Sequence, residues 1–424
     1  MHSSPANSIM PGFEPRVDYR ISPKLAVDLV LLLLSVRVVL GAVGVWVNVG
    51  LSAPLTFLNF ATFSLLALSS PVFCSRYLKL TVYLLCFAFV SVLSFIITAP
   101  PEIARGLDAV FRVVYLAAWV GFASIYFRGQ YAVERLRQFV RFLIGFGFAI
   151  SVLQIIAAPD RFQIAGEVRA FGVSSHPVLF GMLMLLAIVA DEILRLKLDR
   201  SKSVTDYVIR LMGLLAMTFA VAQTAWLMLA IIIVVLASYN VPRRLRGVSF
   251  LLLAGVSMGM IYALPWTRDL FSLFEIFTSF GEISSDVYSY HLVDNSMAWR
   301  VVNWKMSLSA AMPVWYSGFG PGHSEFYNYF GLTLHNMFFE VFVETGVFGL
   351  LFLFAIVLEI TRCLRQSGHV GALGEVRARR LFVAFSLSLF AACVLSVTLL
   401  GQTLLLTLYF SLLVIVTTPT SEMG

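Results

Sequence analysis

The sequence predicts an all-α protein that crosses a membrane many times, and three observations predict it. Of 424 residues, 59% are hydrophobic and only 12% are charged, against about 25% charged in soluble domains. The mean hydropathy is +0.89. Apolar runs close to the ~20 residues that a span needs recur from one end of the chain to the other. Lysine and arginine then fall on alternate connections between those runs, as the positive-inside rule requires.

In chain order the expected spans are 25–47, 54–72, 78–98, 108–127, 139–158, 177–193, 207–221, 225–239, 248–265, 336–361, 380–399 and 401–418. The run 207–239 is too long for one span and is interrupted at Gln223-Thr224, so it divides into two. One long tilted helix there would reverse the orientation of everything downstream. Charge placement argues against that. With the N-terminus inside, 21 of the 30 lysines and arginines lie on the cytoplasmic side and six on the outer side. The outer six are Arg105, Arg161, Arg169, Arg268, Arg300 and Lys305. Merging the pair would move Arg243, Arg244 and Arg246 outside and Arg300 inside. The expectation is one transmembrane domain over 25–418, with cytoplasmic tails at 1–24 and 419–424. Residues 1–23 are polar and contain prolines, so they do not read as a signal peptide.

Net charge is +7, but most of the excess is topological, so it does not indicate nucleic acid. Cys74, Cys86, Cys363 and Cys393 fall in spans or on the cytoplasmic side, where no disulfide is expected. Their spacing is not that of a metal site. No cofactor is expected.

Two outer segments are longer than simple connectors, 159–176 and 266–335, and long loops tend to be functional. The second holds a helix near 296–312, started at Asp294, Asn295 or Ser296 and stopped by Pro313. Arg300 and Trp304 are four apart on it and share a face. An arginine there can fork two hydrogen bonds to a phosphate; its structural alternative is a snorkelling arginine beside an interfacial tryptophan. A glycine-rich turn, Gly318-Phe319-Gly320-Pro321-Gly322, follows; Gly320 and Gly322 would let backbone approach a ligand.

His335-Asn336 opens the next span, followed by Glu340 and Glu344-Thr345-Gly346. His335 is either a helix-end residue or a general base at the membrane surface. Asn336 would fix its ring or contact a ligand. The carboxylates are costly at that depth and are expected to face the protein interior, with Gly346 allowing a bend or close packing. In the first loop, Arg169-x2-Gly172 precedes His176-Pro177. Arg37 and Arg112 lie within spans, where they are expected either to pair with Asp28 and Asp108 or to lean to the cytoplasmic interface, in a structural role.

The ordered set Arg-x3-Trp, Gly-x-Gly-Pro-Gly, His-Asn and Glu-x-Gly over 299–361 resembles the signature region of the O-antigen ligase and Wzy-type polymerase superfamily, with a family-related region of about 207–361. The resemblance extends more weakly to Arg169-x2-Gly with His176-Pro177. It implies a glycosyltransferase of the bacterial inner membrane that faces the periplasm. The donor would be a glycan on undecaprenyl diphosphate. The acceptor would be a second lipid-linked glycan in a polymerase, or lipid A-core sugar in a ligase. The catalytic set it implies is His335, Arg300 and Arg169. Trp304, Gly320, Gly322, Asn336, Arg268 and His176 would be substrate-binding, with no metal. The family's Ser-Arg between two middle spans is Gln223-Thr224-Ala225-Trp226 here, and Arg268 is the candidate to replace that arginine. Competing classes are a secondary transporter or lipid-linked oligosaccharide flippase, and a non-catalytic scaffold. The chain lacks the internal repeat expected of a transporter.

Overall fold

The computed structural model of the chain describes residues 22–47, 57–62, 64, 75–164, 167–174, 176–242, 247, 255, 296–327, 334–366, 373–395 and 402–419. Among these are eleven α-helices: α1 (Pro23–Val47), α2 (Ser75–Thr98), α3 (Ile103–Tyr126), α4 (Gln130–Ala157), α5 (Pro177–Lys197), α6 (Val204–Phe219), α7 (Gln223–Ser238), α8 (Ser296–Ala311), α9 (Met337–Gln366), α10 (Leu373–Leu395) and α11 (Thr403–Thr417). Within the loop between α4 and α5, Gln163–Ile164 and Glu167–Val168 form a two-residue antiparallel ladder. Apart from residue 255, the expected span at 248–265 lies outside the described residues, as do the loop residues 266–295 with Arg268, and Arg243, Arg244 and Arg246.

Among the described residues, six helices are long and apolar enough to cross a membrane: α1, residues 77–98 of α2, α3, α4, α5 and α9. α7 and α11 are apolar but shorter. The chain is therefore a polytopic helical membrane protein. α1 shows the lipid-facing pattern plainly. Ala26, Val27, Val30, Leu31, Leu34 and Val38 are buried along one stripe, while Leu25, Leu32 and Val36 face outward. In lipid there is no penalty for that second apolar face.

Two helices extend well beyond their apolar runs. α4 starts at Gln130 rather than 139, and α10 at Leu373 rather than 380. Hydropathy marks only the apolar part. The added turns of α4 carry Arg135 and Arg137, with Arg141 just beyond them, and all three are paired within the protein. Arg135 Nε is 2.7 Å from Asp28. Arg137 forks between Asp191 at 2.9 Å and Asp206 at 2.6 Å, and Arg141 bonds the same two carboxylates.

The long run 207–239 does divide in two. Val221 has φ +49 between α6 and α7, and the Phe219 carbonyl accepts from Ala170 N at 2.8 Å. The two helices straddle α5, where a Cβ at Gly181 would lie 2.5 Å from the Ala222 methyl. Such close approach of small residues is how membrane helices associate.

A line of hydroxyls down α11 meets partners from two helices, α1 and α3. Thr403 accepts from Arg37, Thr407 Oγ1 is 3.2 Å from the Tyr115 hydroxyl, and Ser411 accepts from Trp119 Nε1 at 3.0 Å. This corrects the expected Arg37–Asp28 pair. The two residues lie nine positions apart on α1, and Asp28 is held by Arg135 and by the Tyr131 hydroxyl at 2.7 Å. Arg112 pairs with Asp108 one turn earlier, as expected.

Candidate active site

α9 is not one continuous helix. At Gly346 φ is 67° and ψ is −166°, which leaves carbonyl groups without their helical donors. The glycine-rich turn supplies replacements. Phe319 N donates to Val343 O at 2.8 Å and Gly320 N to Glu344 O at 2.9 Å. Beyond the break, Val347 N donates to Trp315 O at 2.9 Å. Ser94 of α2 bonds both Glu344 O and Ser317 O through its hydroxyl. A Cβ at Gly346 would lie 2.4 Å from Tyr316 O, and one at Gly318 the same distance from the Glu344 carbonyl carbon. Both glycines have positive φ, so the two segments fit only because neither carries a side chain.

The start of α9 is fixed separately. Asn336 Oδ1 accepts from Phe338 N at 3.0 Å and Phe339 N at 3.1 Å, capping the helix, while its Nδ2 donates to Val394 O at 2.6 Å. Trp304 donates its indole N–H to Leu334 O and packs edge-on against Phe339. Between these two anchors His335 takes φ +52, a conformation histidine tolerates better than most residues.

These constraints present His335 to a cavity of about 370 Å³. Arg105, Arg112, Arg300 and His176 also line it, as do the carboxylates Asp108, Glu325, Glu340 and Glu344, and Gln402. α8 contributes Arg300, α3 contributes Arg105, Asp108 and Arg112, and α9 contributes Glu340 and Glu344. His176 is the N-cap of α5, with Nδ1 accepting from Val178 N at 3.2 Å, so its Nε2 carries the proton of the neutral ring. Some of the charge is matched internally. Arg105 is 2.6 Å from Glu325, and Arg112 is paired with Asp108. Ser324 N lies 3.3 Å from Glu344 Oε1.

Burial lowers the Arg300 guanidinium to about 10. It therefore remains charged at neutral pH but is poorly solvated, the state in which a cation gains most from an incoming anion. His176 is held below the usual histidine value, first by desolvation, then by the charges of Arg169 and Arg300. Arg169 acts from the edge. Its backbone N bonds Phe162 O at 2.8 Å next to the short ladder, and its side chain is not among those lining the cavity.

Of the residues singled out from sequence, the cavity thus gathers His335, Arg300, His176 and Gly322. Trp304, Gly320 and Asn336 do not line it. Trp304 and Asn336 are committed to holding the His335 backbone, and Gly320 lies against Thr98 and Pro100. Arg268 lies outside the described residues. Sequence reasoning missed Arg105, Glu325 and Gln402, and it read Arg112 as a residue of the span interior. The only sequence signal for Arg105 was the scarcity of outer cations, and Gln402 carried none.

Residues 208–354 match a family model described as O-antigen ligase. The match takes in Arg300, His335, Glu340 and Glu344, whereas Arg105, Arg112, His176 and Gln402 reach the cavity from outside it. No curated protein matches the chain.

Proposed function

Because residues 208–354 place that region of the chain in the O-antigen ligase family of membrane glycan transferases, we propose that the protein moves a glycan from undecaprenyl diphosphate to a sugar hydroxyl. The observation that carries this reading is one cavity, inside and beside the matched region, that gathers Arg300, His176 and His335. We read twelve spans with both termini cytoplasmic in the bacterial inner membrane, and the cavity open to the periplasm. The orientation rests on the distribution of lysine and arginine.

The leaving group is a lipid diphosphate, so catalysis needs cationic stabilisation rather than a strong acid. Arg300 meets the diphosphate, supported by Arg169 and by a proton on His176 when the anion is bound. Each charge-assisted bond contributes about 1.5–3 kcal/mol, and those that strengthen as negative charge develops lower the barrier. His335 orients the acceptor hydroxyl and accepts its proton. Attack opposite the departing diphosphate inverts the anomeric carbon. Glu340, Glu325 and Gln402 offer acceptors to sugar hydroxyls. No step is assigned to a metal. We assign the acceptor as a second lipid-linked glycan, which makes the reaction a polymerisation; a ligase would use lipid A-core sugar in the same geometry.

The test is transfer in vitro by purified protein, with undecaprenyl diphosphate-linked repeat units and EDTA present. A glycan ladder that grows without any other acceptor, and is lost in His335→Ala and Arg300→Ala, is the expected result. Transfer only on addition of lipid A-core would replace the polymerase with a ligase. No transfer to either acceptor, with the lipid itself crossing vesicles, would replace the transferase with a flippase.

A further inference from the structure

A second cavity, of about 870 Å³, opens between α9, α10 and α11. Its wall is apolar over most of its extent, with Leu353, Val357, Val383 and Phe410 facing it. One end differs. Arg365 from the last turn of α9 and Arg379 and Arg380 from the early turns of α10 line it there. No carboxylate is among the described residues lining the cavity. Of the acids on these helices, Glu375 lies 3.5 Å from Lys197 and Glu359 3.7 Å from Arg362. Arg380 lies over the Tyr239 ring at 5.1 Å, which steadies its guanidinium at the rim without neutralising it.

We propose that this cavity binds an anionic phospholipid, with its acyl chains against the apolar wall and its phosphate at Arg365, Arg379 and Arg380. A hydrophobic cleft that ends in three guanidiniums matches the two parts of such a molecule. Basic pockets between spans on the cytoplasmic side are where anionic headgroups lodge. The occupant is not the glycan carrier. This rests on the orientation given above: the carrier's diphosphate is consumed at the opposite face, so an anion at this rim belongs to a lipid of the cytoplasmic leaflet. Bound there, the lipid ties the end of α9 to the start of α10, on the same helix whose other end positions His335.

The experiment is native mass spectrometry of the full chain, equilibrated in detergent with equal amounts of phosphatidylglycerol and phosphatidylcholine. Wild type is expected to retain phosphatidylglycerol selectively. The Arg365→Gln/Arg379→Gln/Arg380→Gln variant is expected to retain at least about tenfold less. Val383→Trp keeps the arginines and fills the apolar wall; it is expected to lose retention as well, and it decides the matter if the triple variant does not fold. Equal retention of the two lipids, or retention unchanged in the variants, overturns the proposal. So does displacement of phosphatidylglycerol by polyprenyl phosphate at equal concentration, which would make this a carrier site. Gln366→Cys labelled in intact cells tests the premise separately. Modification by a membrane-impermeant reagent would reverse the orientation, whatever the lipid result and whatever the transfer assay shows.

Discussion

The molecule holds two clusters of charge, built from the same residue types and used in opposite ways. Near the start of α6, Arg137 and Arg141 fork across Asp191 and Asp206, and Arg195 and Arg210 share Glu192. Asp191 and Asp206 are fully buried there. Each guanidinium meets a carboxylate, and Asp206 also closes a capping box with Ser203. Around the 370 Å³ cavity, by contrast, the charges line open space. Only burial shifts Arg300, and His176 is pushed toward its neutral form first by burial and then by two arginines. A cluster that neutralises itself fastens helices together. A cluster that keeps a desolvated cation beside open volume is suited to an anion that arrives later.

The contrast is tested most severely at Asp191. Asp191→Ala leaves the buried Arg137 and the half-buried Arg141 short of a shared acceptor, and breaking a buried pair from one side costs about 3–5 kcal/mol. Thermal unfolding in detergent should register a large loss of stability; an unchanged transition would mean that the first cluster is solvated and that the distinction is false. Arg300→Ala should do the reverse. Turnover falls by about 10²–10³, as when one preorganised donor is removed, while the unfolding transition stays where it was. A matching fall in stability would make Arg300 another fastener. Gly346→Ala sharpens the comparison by disturbing the cavity without touching a charge. It forces an alanine into positive φ against the Tyr316 carbonyl, a strain of about 1–3 kcal/mol, and should reduce both stability and transfer.

The smallest effect is expected at His176. Its pKa lies below the usual histidine value in the empty site, and a bound diphosphate would raise it. Donor binding then takes up a proton. Affinity should therefore strengthen as pH falls from 7.5 toward 5.5, by no more than about tenfold per unit for one proton, and His176→Gln should flatten that dependence. A wild-type binding curve without pH dependence would remove His176 from the anion site.

Much of the fold was legible because hydropathy and charge bias act through local composition. The break before Gln223, the helix from Ser296 to Ala311 and the bend at Gly346 all sit where residue type alone placed them. The ends of α4 and α10 were not legible, since their extra turns are polar and are sustained by partners far away in sequence. The site was legible in part. The ordered elements between Arg300 and Gly346 carry a recognisable spacing, and two of the cavity's principal side chains come from them. Its other wall did not announce itself. Arg105 and Arg112 stand on α3, and Gln402 precedes α11, so only helix packing brings them to His335. Trp304 and Asn336 were visible, but the contacts by which they hold the backbone on either side of His335 were not. From sequence a tryptophan that grips a carbonyl looks the same as one that stacks on a sugar.

The knot at Gly346 also bears on how the protein is made. A helix entering lipid must satisfy its own backbone, because a bare carbonyl there costs several kcal/mol. α9 cannot do so alone in its broken form. The groups that satisfy the break come from the 315–320 turn, which precedes it in the chain, and from Ser94 on a span inserted far earlier. On leaving the translocation machinery α9 therefore has reason to be continuous, and it breaks only on docking against α2. The cavity is on this account a late product of assembly, and an unassembled chain would carry His335 and Glu344 without yet bringing them to one space.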